Sequence, residues 1–237
     1  MATGKNTHHR VTWEPITNTG EAVPSSLGGY PLLPPGDTWP VCTEDDCNRR
    51  MSLFVQIAVE TRFGLSFEKG STLGVFQCVH HDDPFEELDT KSPTKAKPRL
   101  PDRYWEHANY ALYLTTPAQQ QRSSDIEPYV TYSRLDFTAE PEPKPRSIEA
   151  LNYKNIKVSG SPFWVQKAKV WACSCGAEME FLCSMPENLH YPRAEGSPRQ
   201  PNVYSDGFHH LFLGLSTYVF ACKARCHPRA VVAVRQN

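Results

Sequence analysis

Apolar residues recur along the chain in short runs rather than at a helical period. Met51–Val59 (MSLFVQIAV), Leu73–Val79 (LGVFQCV), Thr217–Cys222 (TYVFAC) and Ala230–Val234 (AVVAV) are rich in Val, Phe and Leu. Such runs are too short for helices and predict strands, several of them buried on both faces. Ala108–Pro117 (ANYALYLTTP) and Glu127–Phe137 (EPYVTYSRLDF) add two strands on the same grounds. Amphipathic helical patterns are few, so the expected fold class is α+β and mainly β. Two polar, proline-broken stretches, Asp89–Pro101 and Ala139–Ser147, read as exposed loops, because proline withholds a backbone donor and charges resist burial.

The pattern also repeats. LGGYPLLPPGDTWPVC and VSGSPFWVQKAKVWAC each carry a glycine and, two residues on, a proline: Gly29 and Pro31 in one, Gly160 and Pro162 in the other. An apolar pair follows, and a tryptophan precedes a cysteine. Pro31 to Cys42 and Pro162 to Cys173 each span eleven positions, and Cys47 to Met51 and Cys175 to Met179 each span four. GVFQCVHHDDP then matches YVFACKARCHP in type and order. We read two related β-rich half-repeats, 25–90 and 155–237, joined by a middle segment 91–154 and preceded by an N-terminal segment 1–24. Together they are expected to pack as one compact domain. An internal pseudo-twofold would satisfy a sheet edge within one chain, which predicts a monomer when unbound.

Composition narrows the function classes. The 237 residues are 39% hydrophobic and 22% charged with a net charge of −1, a globular profile without a general basic field for nucleic acid. The N-terminus MATGKNTHHRVTWEP lacks a secretory signal pattern, and no apolar run reaches the length of a membrane span. The cytoplasm is the expected location. In a reducing compartment the eight cysteines read as metal ligands or buried thiols rather than disulfides.

Four of those cysteines, Cys173, Cys175, Cys222 and Cys226, form one pair before a strand and another after a strand, a way to deliver four thiolates to a tetrahedral ion. The first half offers Cys42, Cys47 and Cys78, with His81 or His80 as the fourth ligand. Cys183 falls inside an apolar strand and reads as a buried thiol. Zinc suits such donor sets, and a four-ligand site is structural and closed.

His80, His81, Asp82 and Asp83 are sequential, so alternate side chains leave a strand on opposite faces and one hydrolytic ion cannot gather them all. Phe208–Leu211 (FHHL) reads as core or surface histidines without a carboxylate partner. The chain contains no G-x-S-x-G, P-loop, G-x-G-x-x-G or H-E-x-x-H pattern. Acidic residues gather locally at Glu44, Asp45 and Asp46 and at Asp82, Asp83, Glu86 and Glu87. Together these could offer a surface to a basic protein partner.

SSLGGYPLLPPGDTWPVC, MSLFVQI, VSGSPFWVQ, CSCGAEMEFLC and YVFACKARCHP together resemble the YwqG-like family of bacterial proteins. The likeness brackets most of the chain and leaves out the stretch from about Asp89 to Asn152. It implies an α+β protein built on a duplicated β-rich unit with no established catalytic centre. Some members stand beside polymorphic toxins. The resemblance therefore implies a non-enzymatic immunity protein that binds and neutralises a cognate toxin, such as a nuclease with a basic cleft. The competing expectation is a zinc-dependent or thiol-based enzyme using one of the cysteine clusters.

Overall fold

The computed structural model describes residues 7–17, 20, 23–36, 38–83, 98–144, 147–169, 171–203 and 205–237. The chain is mainly β. Its strands in order are β1 (Thr7–Pro15), β2 (Ser26–Leu27), β3 (Leu32–Leu33), β4 (Ser52–Ala58), β5 (Thr72–Gln77), β6 (Tyr110–Thr115) and β7 (Gln121–Arg122). They continue with β8 (Ser133–Pro141), β9 (Ile156–Val158), β10 (Met179–Met185), β11 (Tyr191–Pro192), β12 (Phe208–His209), β13 (Ser216–Cys222) and β14 (Val231–Gln236). A single α-helical turn, α1 (Ile148–Leu151), is capped by the Ser147 hydroxyl accepting from the Ala150 amide. Among the described residues no helix is long and apolar enough to cross a membrane.

Ten strands form one antiparallel sheet in the order β14-β13-β10-β9-β1-β8-β2-β4-β5-β6. The order reads alike from either edge: β14, β13 and β10 answer to β6, β5 and β4, and β9 to β2, about a central β1–β8 pair. β4 carries its register shift between Leu53 and Val55, β10 between Phe181 and Cys183. One extra residue thus kinks each strand at corresponding places. The sheet curls until its edges nearly meet, with the Leu114 amide at the end of β6 donating to the Pro228 carbonyl just before β14 at 2.7 Å. Gly29 and Gly160 turn the chain at positive φ of 87° and 70°. At Gly29 an added Cβ would strike the Tyr132 ring, and at Gly160 the Glu142 carboxylate, so both sites need glycine for space as well as backbone.

The expected strands form, and β4, β5, β6 and β13 are buried on both faces as their unbroken apolar runs require. One expectation needs correction, and one strand goes unread in the sequence. The N-terminal segment supplies β1, the sheet's central strand, which pairs with β8 over Thr7–Pro15 and with β9 over His9–Val11. Its sequence THHRVTWEP hides this, because His8 and His9 are buried like apolar residues. The Ala139–Ser147 stretch is also not wholly loop. β8 runs through Ala139 and Glu140 to Pro141, held by pairing to Thr7–His9 and by the Arg10–Glu140 ion pair, with proline at the strand terminus where a missing donor matters least.

Three apolar clusters fill the molecule. The largest draws on both halves, with Phe54, Val55, Leu182, Cys183 and Val219 among its members. A second surrounds Cys173 and Cys222, and a third surrounds Cys42 and Cys78.

Candidate metal centres

Each smaller cluster ends in a set of metal-ligating side chains. One ligand atom from each of Cys42, Cys47, Cys78 and His81 lies within 4.8 Å of the others, and the same holds for Cys173, Cys175, Cys222 and Cys226. The fourth donor of the first set is His81. His80 instead meets the Arg49 guanidinium.

Local chain geometry presents these donors. In the first set, an antiparallel bridge between Val41 and Arg50 closes a loop that carries Cys42 and Cys47. The Asn48 amide donates to the Cys42 carbonyl at 3.0 Å and the Cys47 amide to Glu44 at 2.8 Å. Cys78 directly follows β5, with His81 one short turn on. In the second set, the Ala172–Glu178 bridge closes a tighter loop around Cys173 and Cys175. There the Gly176 amide donates to the Cys173 carbonyl at 2.8 Å. Cys222 ends β13, and Cys226 follows in the turn to β14. Each set therefore joins a loop before one strand to the end of the neighbouring strand.

The distances suit a tetrahedral ion. Zinc–sulfur bonds of about 2.3 Å set tetrahedral ligand atoms about 3.7 Å apart. The second set has Cys173 and Cys226 sulfurs at 3.6 Å and Cys175 and Cys222 at 3.6 Å. In the first, the Cys42 sulfur lies 3.3 Å from His81 Nδ1, Cys78 lies 3.9 Å from it, and Cys47 and Cys78 are 4.0 Å apart.

Electrostatics point the same way. Burial pushes the Cys42, Cys78, Cys222 and Cys226 thiols up, and charge on neighbouring thiols adds to it. Backbone amides nevertheless aim at the sulfurs: Glu44 at Cys42, His80 and His81 at Cys78, Cys175 at Cys173, and Cys226 at Cys222. Donors of this kind favour thiolate. At Cys173 burial pushes the thiol up, but the Cys175 amide and hydrogen bonds from Tyr104, Cys222 and Cys226 outweigh it and bring it down to about 7. A divalent ion would favour the thiolate form of the set as a whole. Both donor sets fit a metal of zinc's size and softness.

Other expected residues separate from these centres. Cys183 is buried in β10, its thiol pushed up to about 12 by burial, so it is the inert core thiol that its sequence context implies. His209 is fully buried and His210 nearly so, and neither joins a ligand set. Glu44, Asp45 and Asp46 do lie on the loop of the first set, with Asp45 and Asp46 exposed. Asp82 does not belong to an acidic surface. It is fully buried, its carboxylate accepting from Asn202 Nδ2 at 2.8 Å and from the Asn202 amide at 3.3 Å. Asp83 is half-buried with its carbonyl accepting from Asn109 Nδ2, while Glu86 and Glu87 lie outside the described residues.

Sequence reading missed Tyr104, whose hydroxyl lies 3.6 Å from the Cys173 sulfur. It comes from the middle segment, where no repeat or motif marks it. It also missed Lys157, fully buried yet satisfied by Glu142 at 3.1 Å and the Ser159 and Ser161 carbonyls at 2.8 and 2.5 Å. Compared with family models and with curated proteins, the chain matches none.

Proposed function

We propose that the chain is a non-catalytic cytoplasmic protein of the YwqG-like kind, locked by two structural zinc ions, that binds a cognate protein toxin and neutralises it. The observation that carries this reading is the completeness of both donor sets. Four protein ligands per ion leave no coordination position for water or substrate, so each ion fixes loops rather than reacting. The two-half architecture belongs to the same reading: the palindromic strand order and the matched bulges support a duplicated β-rich unit. Among the described acidic residues, Glu44, Asp45 and Asp46 are the contacts expected to face a basic partner. Filling the first set with zinc and three thiolates adds about one more negative charge beneath them.

Affinity capture of the tagged protein from its native cell, washed at high salt and read by mass spectrometry, tests this reading. A stoichiometric toxin-like partner is expected, and Asp45→Asn with Asp46→Asn should weaken its capture while leaving metal content unchanged. Asparagine is the informative replacement, because both positions have positive φ, which asparagine tolerates. Retention of no partner under mild or stringent washing would end the immunity reading. An activity lost in Cys175→Ser with unchanged melting temperature would instead favour a thiol enzyme.

A further inference from the structure

A groove of about 560 Å³ opens along the seam where β6 approaches the turn into β14. Trp39, Arg103, Trp105, Tyr113, His227 and Arg229 are among its lining residues. Flat rings and cations dominate it. The Trp105 indole stacks on the His227 imidazole with centroids 4.8 Å apart and planes 9° from parallel, and His107 stacks on Tyr110 at 3.8 Å. Arg229 reaches across the seam, donating to the Tyr113 hydroxyl at 2.7 Å, with its Nε buried, so that it places a positive charge beside the groove. Arg103 is largely exposed and holds Glu106, the sole carboxylate lining the groove, through Nε at 2.7 Å. Two arginines against one glutamate leave the groove cationic in a chain whose net charge is −1.

We propose that this groove binds a nucleotide, a planar heteroaromatic ring carrying a phosphate. A base extends the Trp105–His227 stack, and the phosphate meets the exposed Arg103 guanidinium on the edge that Glu106 leaves open, with the Arg229 charge beside it. A bare anion would use the arginines and leave the rings idle. A neutral aromatic would do the reverse. The volume falls within the range of small-ligand sites. The groove depends on the metal centres, because Trp39 leads into Cys42 and His227 follows Cys226 directly. Ligand binding should therefore require metal.

Calorimetric titration of the zinc-loaded protein with adenosine 5′-monophosphate tests the proposal, beside adenosine, inorganic phosphate and a short single-stranded oligoadenylate. One monophosphate per chain is expected, with adenosine and phosphate each about tenfold weaker. Trp105→Ala and Arg103→Gln should each weaken the monophosphate about tenfold while both zinc ions and the melting temperature are retained. Oligoadenylate binding no tighter than the monophosphate assigns the site to free nucleotide, and tighter binding assigns it to a strand. The proposal is overturned if millimolar monophosphate gives no heat with zinc-loaded protein. It is equally overturned if phosphate alone binds as tightly, or if Trp105→Ala and Arg103→Gln leave binding unchanged.

Discussion

The two metal centres solve one problem with different parts. The first gathers three thiols and an imidazole, two of the thiols from a loop whose turns fall on Asp45, Asp46 and Asn48, all at positive φ, and the other two donors from the end of β5 and the turn after it. The second takes two thiols from a shorter loop turned by Gly176 and two from the end of β13 and the turn after it, with Arg225 at positive φ before Cys226. Filled with zinc, the first would carry about one net negative charge and the second about two. Their cover differs as well. Cys47 and His81 are half-buried, whereas Cys175 and Cys226 are exposed. A repeated strand frame can thus hold two centres of unequal charge and access, and the loops rather than the strands set that inequality. The acidic residues of the first loop gain a second explanation here, since aspartate tolerates the left-handed backbone better than most residues do.

The sharpest way to break the comparison is to remove the metal. A strong chelator should release two zinc ions per chain and lower the melting temperature by about 10 °C or more. Structural zinc contributes on the order of 10 kcal/mol in small metal domains, and about 1 kcal/mol shifts a chain of this size by about 2–4 °C. Release should be stepwise. Mass spectrometry with thiol alkylation should find Cys175 and Cys226 labelled while Cys42 and Cys78 stay protected, and simultaneous labelling would show that access does not separate the centres.

Single-ligand variants sharpen it next. Cys222→Ser and Cys78→Ser should each reduce zinc from two ions to one, whereas His81→Cys should keep two and convert the first set to the chemistry of the second. Elemental analysis decides, and loss of both ions from either serine variant would mean that the centres are coupled.

A smaller effect concerns the frame between them. Lys157→Ala should cost about 3 kcal/mol by denaturant unfolding, because it leaves Glu142 without its buried partner. Lys157→Met should cost less by filling the space, packing where the ammonium lies over Phe163 and Phe181. Zinc content should stay at two ions in both variants.

The smallest effect is on pH dependence. Burial holds His8 and His209 down at about 4. The unfolded imidazoles titrate near 6.5, so between about 6.5 and 4 the unfolded chain binds more protons, and stability falls as pH drops through that window. Glu127, pushed up by burial to about 7, opposes them, because the folded chain holds its proton longer as pH rises. Two imidazoles against one carboxyl leave a net loss on acidification. Both ring nitrogens of His209 lack hydrogen-bond partners among the described residues. The melting temperature of His209→Leu should therefore gain on that of the parent as pH falls from 6.5 to 5, and a constant gap would contradict the assignment.

The grouping of the candidate donors was legible in the sequence, because they sit at strand ends and carry their spacing with them. His81 could not be told from His80 by spacing alone. The turn after Cys78 decides, sending His80 to Arg49. The unbroken apolar runs of β4, β5 and β13 announced themselves, since burial on both faces demands them. β1 did not, because its buried positions are filled by histidines that pack edge-on against aromatic rings, His8 on Tyr153 and Phe163, His9 on Phe63. Lys157 hid for the opposite reason. A lysine inside a three-residue strand reads as solvent-facing until the turn after the strand folds the Ser159 and Ser161 carbonyls back to it and the end of β8 brings in Glu142. Asp82 looked like surface charge beside Asp83, and only Asn202, far along the chain, takes it inside.

The pairing of β1 with β8 has a consequence for the order in which the chain acquires its shape. Thr7 meets Pro141, and His9 also meets Val158. During synthesis β1 emerges before both of its sheet neighbours, β8 and β9, which lie far downstream of it. The first metal centre is complete in sequence by residue 81, whereas the second needs Cys226. The two donor sets thus become available at different points of synthesis, the first before β8 and β9 and the second after them, while β1 waits for strands made in between.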